Sequence, residues 1–320
     1  MYVPLDEKIK LNSFTFGFEL EAILNDTEEA TPKDGDVEEV DKELTQLRLA
    51  KLEPLLGLQK KFGGSYMRDG SIKPYSGRHT PFEYVSGVLQ FTDKNISLLT
   101  DTLRDIKSKG VYTNKTCGFH IHFGFPNTTR KQLLWIKTVY LFDSQAQSNF
   151  EYFQSTNGPI PFWSKKYASV GNKNNLANGL AKLIYQFKTN PGPEFNEHVS
   201  KFFSQDHFTS KYNVLGIHEK YRTLEWRGPR GFLNTGEDKD IVAFMRMVRK
   251  FVQWLSSAED AERVVVNPKK GIYISRDDFF KMIEGHSISR VQTFGVDVAE
   301  RIDAAKTNKE RSNIAFEFFR

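Results

Sequence analysis

Three short segments of the chain place side chains that can bind metal ions two residues apart. They are FGFELEA at residues 16–22, GFHIHFG at residues 118–124 and TLEWR at residues 223–227. Successive side chains of a β-strand point to opposite faces, so each segment would bury its apolar residues and turn its polar residues the other way. If the three strands share a sheet, the polar face of that sheet is predicted to be a metal site.

Each segment alone has an ordinary explanation. Glu19 and Glu21 repel each other when ionised, and a divalent cation would offset the repulsion, but an isolated pair of this kind more often marks a solvated edge strand. His120 and His122 suit zinc or iron, or simple hydrogen bonding in a half-buried position. The third segment, with Glu225 and Arg227, would alone be a surface ion pair. Their joint occurrence favours one shared site, because the opposite faces carry no charged residue.

The composition is that of a globular protein. The chain has 320 residues, 39% of them hydrophobic and 27 of them Phe, enough to fill the core of one large domain or two ordinary ones. The only cysteine is Cys117, so neither an internal disulfide nor a cysteine-based zinc site is expected.

Charge and hydropathy give expectations about partners and location. No apolar run is long enough to span a bilayer, and the start lacks the features of a signal peptide, so we expect no membrane association and a cytoplasmic location. The net charge of +5 is a weak hint of an anionic partner such as a nucleotide or nucleic acid.

Hydrophobic periodicity predicts the elements that would position these residues. Strands are predicted at 14–22, 65–72, 81–86, 118–124, 212–215 and 221–227, with a hairpin turn at 216–220. Helices are predicted at 37–58, kinked or restarted at Pro54, and at 92–109, 128–150 and 238–255. Residues 157–175 are predicted to form a loop. This order predicts an α+β fold, with a mostly antiparallel sheet and helices on one face.

The sequence beyond Ser257 has weaker periodicity, with short helical stretches at 277–283 and 298–305. We therefore expect a catalytic domain at 1–257 and an α-rich C-terminal extension at 258–320, packed on it.

The motifs, in their order along the chain, closely resemble the amidoligase family. They are the FGFELE segment, Asp69-Gly70-Ser71, Glu83-Tyr84-Val85-Ser86, CGFHIHFG and Glu225-Trp226-Arg227. The family belongs to the glutamine-synthetase-like carboxylate–amine ligases, and the resemblance covers roughly residues 14–255. It implies a twisted antiparallel sheet whose concave face holds ATP and two or more Mg²⁺ or Mn²⁺ ions. It also implies a reaction in which a carboxylate becomes an acyl phosphate that an amine attacks.

The resemblance also implies roles for individual residues. The implied metal ligands are Glu19, Glu21, Glu83, His120 and Glu225. The implied catalytic residues are Arg227, Glu83 and His122. His122 and Arg227 would lie at the ATP phosphates, and Arg227 has the planar fork that suits a phosphoryl group.

The resemblance is weakest after the third predicted helix, where relatives tend to carry a proline followed by an arginine. This chain has Pro161 followed by Lys165 and Lys166, which we expect to bind the cofactor or substrate as point charges without the bidentate fork of arginine. The loop 73–79 is also expected to bind substrate. The carboxylate and amine substrates themselves are not specified by these residues.

Three other functions are consistent with the same residues. A metal-dependent hydrolase could use His120, His122 and a glutamate to activate water. A guanidino-kinase-like phosphotransferase would release a phosphorylated product and no amide. A non-catalytic binding protein would retain only the scaffold.

Overall fold

The computed structural model describes the central part of the chain with several gaps. The described residues are 14–25, 46–75, 79–124, 129–150, 173–189, 192–205, 208, 213–218, 222–229, 231–233 and 238–284. Most of the predicted loop 157–175, much of the predicted helix 37–58 and the predicted helical stretch 298–305 lie outside them. Within the described ranges, no helix has both the length and the apolar character needed to cross a bilayer.

The largest sheet has eight strands and is built around the first of them. The strands are β1 Thr15–Leu24, β2 Ser65–Met67, β3 Thr80–Val85, β4 Leu89–Gln90, β5 Val111–Tyr112, β6 Phe119–Gly124, β7 Leu215–His218 and β8 Thr223–Trp226. The order is β2-β3-β1-β6-β8-β7, and the short strands β4 and β5 also pair with β1. All of these described pairings are antiparallel. The predicted α+β class with a mostly antiparallel sheet is confirmed.

The chain also contains helices, and several of them pack on one face of this sheet. Those described are α1 (residues 46–50), α2 Leu52–Leu56, α3 Leu58–Phe62, α4 Asp93–Ser108, α5 Arg130–Phe142, α6 Ser144–Phe150, α7 Lys173–Thr189, α8 Phe195–Phe203, α9 Lys239–Glu259 and α10 Arg276–Glu284. Phe16, Phe18 and Leu20 of β1 belong to one buried cluster with apolar residues of α4, α5, α6 and α9. Each such large side chain contributes about 1.5–3 kcal/mol on burial.

Several helix ends lie at the capping and helix-breaking residues from which they were predicted. Thr92 caps α4 by accepting a hydrogen bond from the Asn95 amide, as its position before the helix predicts. Gly110, with φ of 87°, follows the end of α4. The helix that contains Pro54 restarts at Leu52, which places the proline in the first turn, where no amide donor is needed.

Three predicted elements differ from the structure, and two helices were not predicted. The strand predicted at 65–72 ends at Met67. The helix predicted at 128–150 is divided at Asp143, whose side chain caps the second part by accepting from the Ala146 amide. Gly216, predicted as part of the hairpin turn, lies within β7 opposite Glu225, so the turn falls after His218. Helices α7 and α8 were not predicted.

The chain divides into two units at positions other than the expected 257/258. Unit 1 comprises Met1–Lys173 and Asp206–Glu262, and unit 2 comprises Asn174–Gln205 and Arg263–Arg320. The expected boundary falls inside α9. In its described part, unit 2 contains α7, α8 and α10 with an antiparallel hairpin of β9 Arg263–Asn267 and β10 Ile272–Ser275, so it is not purely helical.

One lysine lies inside the core of unit 1. Lys137 of α5 is 1% exposed, and its ammonium donates a hydrogen bond to the carbonyl of Leu215 on β7. Among the described residues it pairs with no carboxylate. Burial lowers its pKa to about 7, because the charged form is costly away from water.

We expect Lys137→Met to stabilise the protein in a pH-dependent way. Because the pKa of Lys137 is about 7 in the folded protein and 10.5 ordinarily, the unfolded chain binds more protons between these values, and wild-type stability rises with pH there. The variant should therefore gain about 1–3 kcal/mol of unfolding free energy at pH 6 and less at pH 9. Thermal unfolding at both pH values measures this, with the exposed Lys94→Met as control. Destabilisation at pH 6 would contradict it.

Candidate active site

The register of four neighbouring strands brings the chemically active side chains to one face of the sheet. Glu19 of β1 lies opposite His120 of β6, and His122 lies opposite Glu225 of β8. On the other side of β1, Glu21 lies opposite Glu83 of β3. This is the face opposite the packed helices, because the intervening residues of each strand belong to the core cluster.

Glu19 bridges the two histidines. Its Oε2 is 3.0 Å from His120 Nδ1, and its Oε1 is 3.0 Å from His122 Nε2. Glu225 Oε1 lies 3.7 Å from His120 Nδ1 and 3.9 Å from His122 Nε2. One ligand atom from each of Glu19, His120 and Glu225 lies within 4.8 Å of the others. The predicted convergence of the three segments is confirmed.

The second carboxylate of β1 is held by backbone. Glu21 Oε2 accepts a hydrogen bond of 2.6 Å from the Gly118 amide, and its Oε1 is 4.0 Å from His120 Nε2. A Cβ at Gly118 would lie 2.8 Å from His120 Nε2 and 3.3 Å from Glu21 Oε2. Position 118 therefore needs glycine so that the His120 ring can lie against the backbone.

The carboxyl groups of the site have unequal proton affinities. Burial raises the pKa of Glu19, but hydrogen bonds from His120 and His122 outweigh burial and hold this pKa well below the usual range. Burial raises the pKa of Glu83 to about 7, with further contributions from the nearby charges of Glu19, Glu21 and Asp69. The site without a cation thus contains one strongly ionised carboxylate and one that titrates near neutral pH.

Arg227 lies just beyond the end of β8. Its backbone amide donates to the Val214 carbonyl at 2.7 Å, and its guanidinium donates a hydrogen bond to Glu225 Oε1. The neighbouring Trp226 anchors this strand from the other face, since its ring stacks on Phe251 of α9 at 4.4 Å. Arg227 is therefore positioned beside the glutamate and histidine cluster, as its spacing from Glu225 predicts.

The residues predicted to bind the substrate lie only partly within the described ranges. Lys165 and Lys166 lie outside the described residues. In the loop 73–79, Lys73 donates to the Gly70 carbonyl at 2.6 Å, and Tyr75 stacks on Tyr112.

An open cavity of about 630 Å³ adjoins Glu19 and His122. It extends along the polar face toward the start of β1 and is lined by Thr15, Phe16, Gly17, Phe18, Glu19, Val85, Ser86, Gly87, Val88, His122, Gly124, Arg222 and Thr223. Half-buried Gly17 contributes backbone to its wall. Its volume lies within the range of ligand pockets of about 300–1,000 Å³.

Three residues at this face were not proposed as site residues from the sequence. His218 of β7 has its ring 5.7 Å from that of His122, and Asp69 contributes to the raised pKa of Glu83. The third is Gly118. A strand that contains Gly216 and His218 would have placed His218 on the same face as Glu225. Both residues were instead assigned to the predicted hairpin turn at 216–220.

Comparison with known proteins now gives the family. The model of a family described as "Putative amidoligase enzyme" matches residues 12–249. The chain belongs to this family. The matched range contains every strand of the eight-stranded sheet and all of the converging residues. No curated protein matches the chain significantly. Membership of the amidoligase family supports an enzyme that acts as a ligase.

We expect Glu83→Gln to stabilise the metal-free amidoligase at alkaline pH. Because the pKa of Glu83 is about 7 when folded and 4.5 ordinarily, the folded state binds more protons in this interval, so stability falls as pH rises through it. The neutral amide of the variant removes this loss of stability. The free energy of unfolding should therefore increase by about 1 kcal/mol at pH 8, allowing for solvent screening, and by almost nothing at pH 4.5. Urea unfolding in EDTA measures it, with the exposed Glu262→Gln as control. An equal gain at both pH values would show that charge on Glu83 is not the cause.

Proposed function

We propose that this amidoligase is an ATP-dependent carboxylate–amine ligase that forms an amide or isopeptide bond. The observation that carries the proposal is the convergence of Glu19, His120 and Glu225 from three strands at the edge of a cavity of about 630 Å³. The family membership and the position of Arg227 support it. The antiparallel sheet with helices on one face and the polar cluster on the other is consistent with a glutamine-synthetase-like fold.

The donor set suits a divalent cation. Oxygen and nitrogen ligands at 2.0–2.6 Å from one ion lie within about 5 Å of each other, which matches the spacing of Glu19, His120 and Glu225. Glu21 and Glu83 would contribute to a second ion. A set dominated by carboxylates favours Mg²⁺ or Mn²⁺ over zinc. When bound, such ions would neutralise the phosphates of ATP and align its terminal phosphoryl group.

The cavity is the proposed place for ATP. It begins at Glu19 and His122, so phosphates placed there would lie next to the cation ligands, and the remainder of the nucleotide would extend toward Arg222 and Thr223. The glycine at position 17 would permit close approach of the ligand to β1. His122 would donate a hydrogen bond to a phosphate oxygen, and Arg227 would face the charge that redistributes during transfer.

The proposed reaction has two steps. An oxygen of the substrate carboxylate attacks the terminal phosphorus of ATP, the bond to ADP breaks, and an acyl phosphate forms. The amine then attacks the acyl carbon, phosphate leaves, and the nitrogen loses one proton. In this scheme Glu83 would accept that proton. Arg227 would stabilise negative charge on the phosphoryl oxygens in the first step.

We expect Gly118→Ala to weaken binding of Mn²⁺ at least tenfold while the protein stays folded. The added methyl group would meet His120 Nε2 at 2.8 Å and displace the ring from its ligand position. Gly216→Ala is the matched control, because its Cβ would meet Glu225 only at 3.8 Å or more. Calorimetric titration measures both affinities, and circular dichroism checks the fold. Equal affinities in the two variants would contradict the assigned role of His120.

The function itself is tested by incubating the protein with ATP, Mg²⁺ and pools of carboxylates and amines. We expect equal amounts of ADP and phosphate, and a product whose mass equals the two substrates less one water. EDTA or Glu19→Gln should abolish all three.

Other products would identify the alternatives. A phosphorylated product without an amide would indicate a kinase, and ATP-independent cleavage would indicate a hydrolase. The absence of nucleotide and metal binding in calorimetry would indicate a non-catalytic protein. Each of these results would overturn the proposal.

A further inference from the structure

Two segments of unit 2 contain basic residues and no acidic residue. Residues 174–189 contain Lys182 and Lys188 and no acidic residue. Residues 263–275 contain Arg263, Lys269 and Lys270 and again no acidic residue.

The side chains on the outer side of these elements form a row. Arg263 and Tyr273 share the exposed face of the hairpin, and Arg263 lies 5.8 Å from the centre of the Tyr273 ring. Lys188 of α7 lies over the same ring at 5.4 Å. This contact joins the helix to the hairpin within unit 2 and holds two like charges beside one ring.

The row continues along α7. Lys188, Tyr185 and Lys182 are spaced three residues apart, so they are neighbours on the helix surface. Lys182 then lines a small cavity of about 160 Å³ together with Lys201 of α8. We define the basic stripe by its members, which are Lys182, Tyr185, Lys188, Lys201, Arg263 and Tyr273.

The cations of the basic stripe have no acidic partner in the described part of the chain. Lys182, Lys188, Lys201 and Arg263 lie further than 4.0 Å from every carboxylate oxygen described. Some exposed cations of unit 1 do have such a partner, for example Lys61 with Asp105 at 3.3 Å. Mutual repulsion of unpaired cations is relieved when an anionic ligand binds along them.

The exposed tyrosine indicates which class of anionic ligand the basic stripe would bind. Tyr185 is 70% exposed, and no described aromatic ring stacks on it. A stacking surface between cations is the arrangement by which proteins bind unpaired nucleic acid, because phosphates meet the cations and bases meet the rings. An acidic polypeptide would use the cations but not the ring. We propose that unit 2 binds single-stranded nucleic acid along the basic stripe, a property independent of the ligase activity.

Fluorescence anisotropy with labelled single strands of about 20 nucleotides, deoxythymidine or uridine, tests the proposal on the full chain. Four cations contacting phosphates predict a slope of about −2.8 in log K against log salt. Lys182→Ala with Lys188→Ala should reduce the slope to about −1.4 and weaken binding at least tenfold. The matched control, Lys94→Ala with Lys250→Ala, removes two exposed lysines from unit 1 and should leave the slope unchanged.

The aromatic part is tested separately. Tyr185→Ala should weaken binding of the single strand about tenfold, whereas Tyr185→Phe should not, because the ring is retained. Three results would overturn the proposal. They are no binding of either oligonucleotide at low salt, an equal effect of the control pair, and binding of polyglutamate, anionic lipid vesicles or duplex as tight as that of the single strand.

Discussion

The active face of this protein depends on the pair of hydrogen bonds through which Glu19 joins His120 and His122. These bonds keep Glu19 ionised despite its burial and hold two imidazoles in place beside Glu225. They exist only in one pairing of β1 with β6, because a shift of either strand by one residue would turn its polar side chains into the apolar layer. The aromatic residues of the same strands prevent that shift, since they would lose their place against α4, α5 and α9. Packing on one face of the sheet thus fixes the strand register that places the polar side chains on the other face.

Much of the sheet could be predicted because its strands alternate between apolar and polar residues. The segments around Glu19, His120 and Glu225 have strict period two, and their convergence follows once they share a sheet. Elements without a period were missed. Strands β4 and β5 are two residues long, and Asp143 divides a continuous apolar stripe by capping a new helix. The turn after β7 includes Arg222 at φ of 53°, a conformation that its residue type does not signal.

Sequence analysis predicted the site residues whose side chains have an evident chemical role. It missed the residues that matter only because of where the fold places them. Gly118 matters because a side chain there would meet His120, and only the folded strands create that proximity. Asp69 comes from a loop distant in sequence from Glu83, yet its charge helps raise the pKa of Glu83. The assignment of α7 and α8 to unit 2 was also not predicted, because they lie between segments of unit 1 along the chain.

The location of the glutamates and histidines on interior strands has a consequence for the lifetime of the protein. Strands β1 and β6 have partners on both sides, so their backbone amides are the kind that exchange with solvent only when a whole domain opens. The cluster therefore cannot loosen while the surrounding unit stays intact, as a site on surface loops could. Any ligand held there adds its binding energy to the stability of all of unit 1. A low concentration of that ligand would then shorten the lifetime of the folded enzyme as well as slow its turnover.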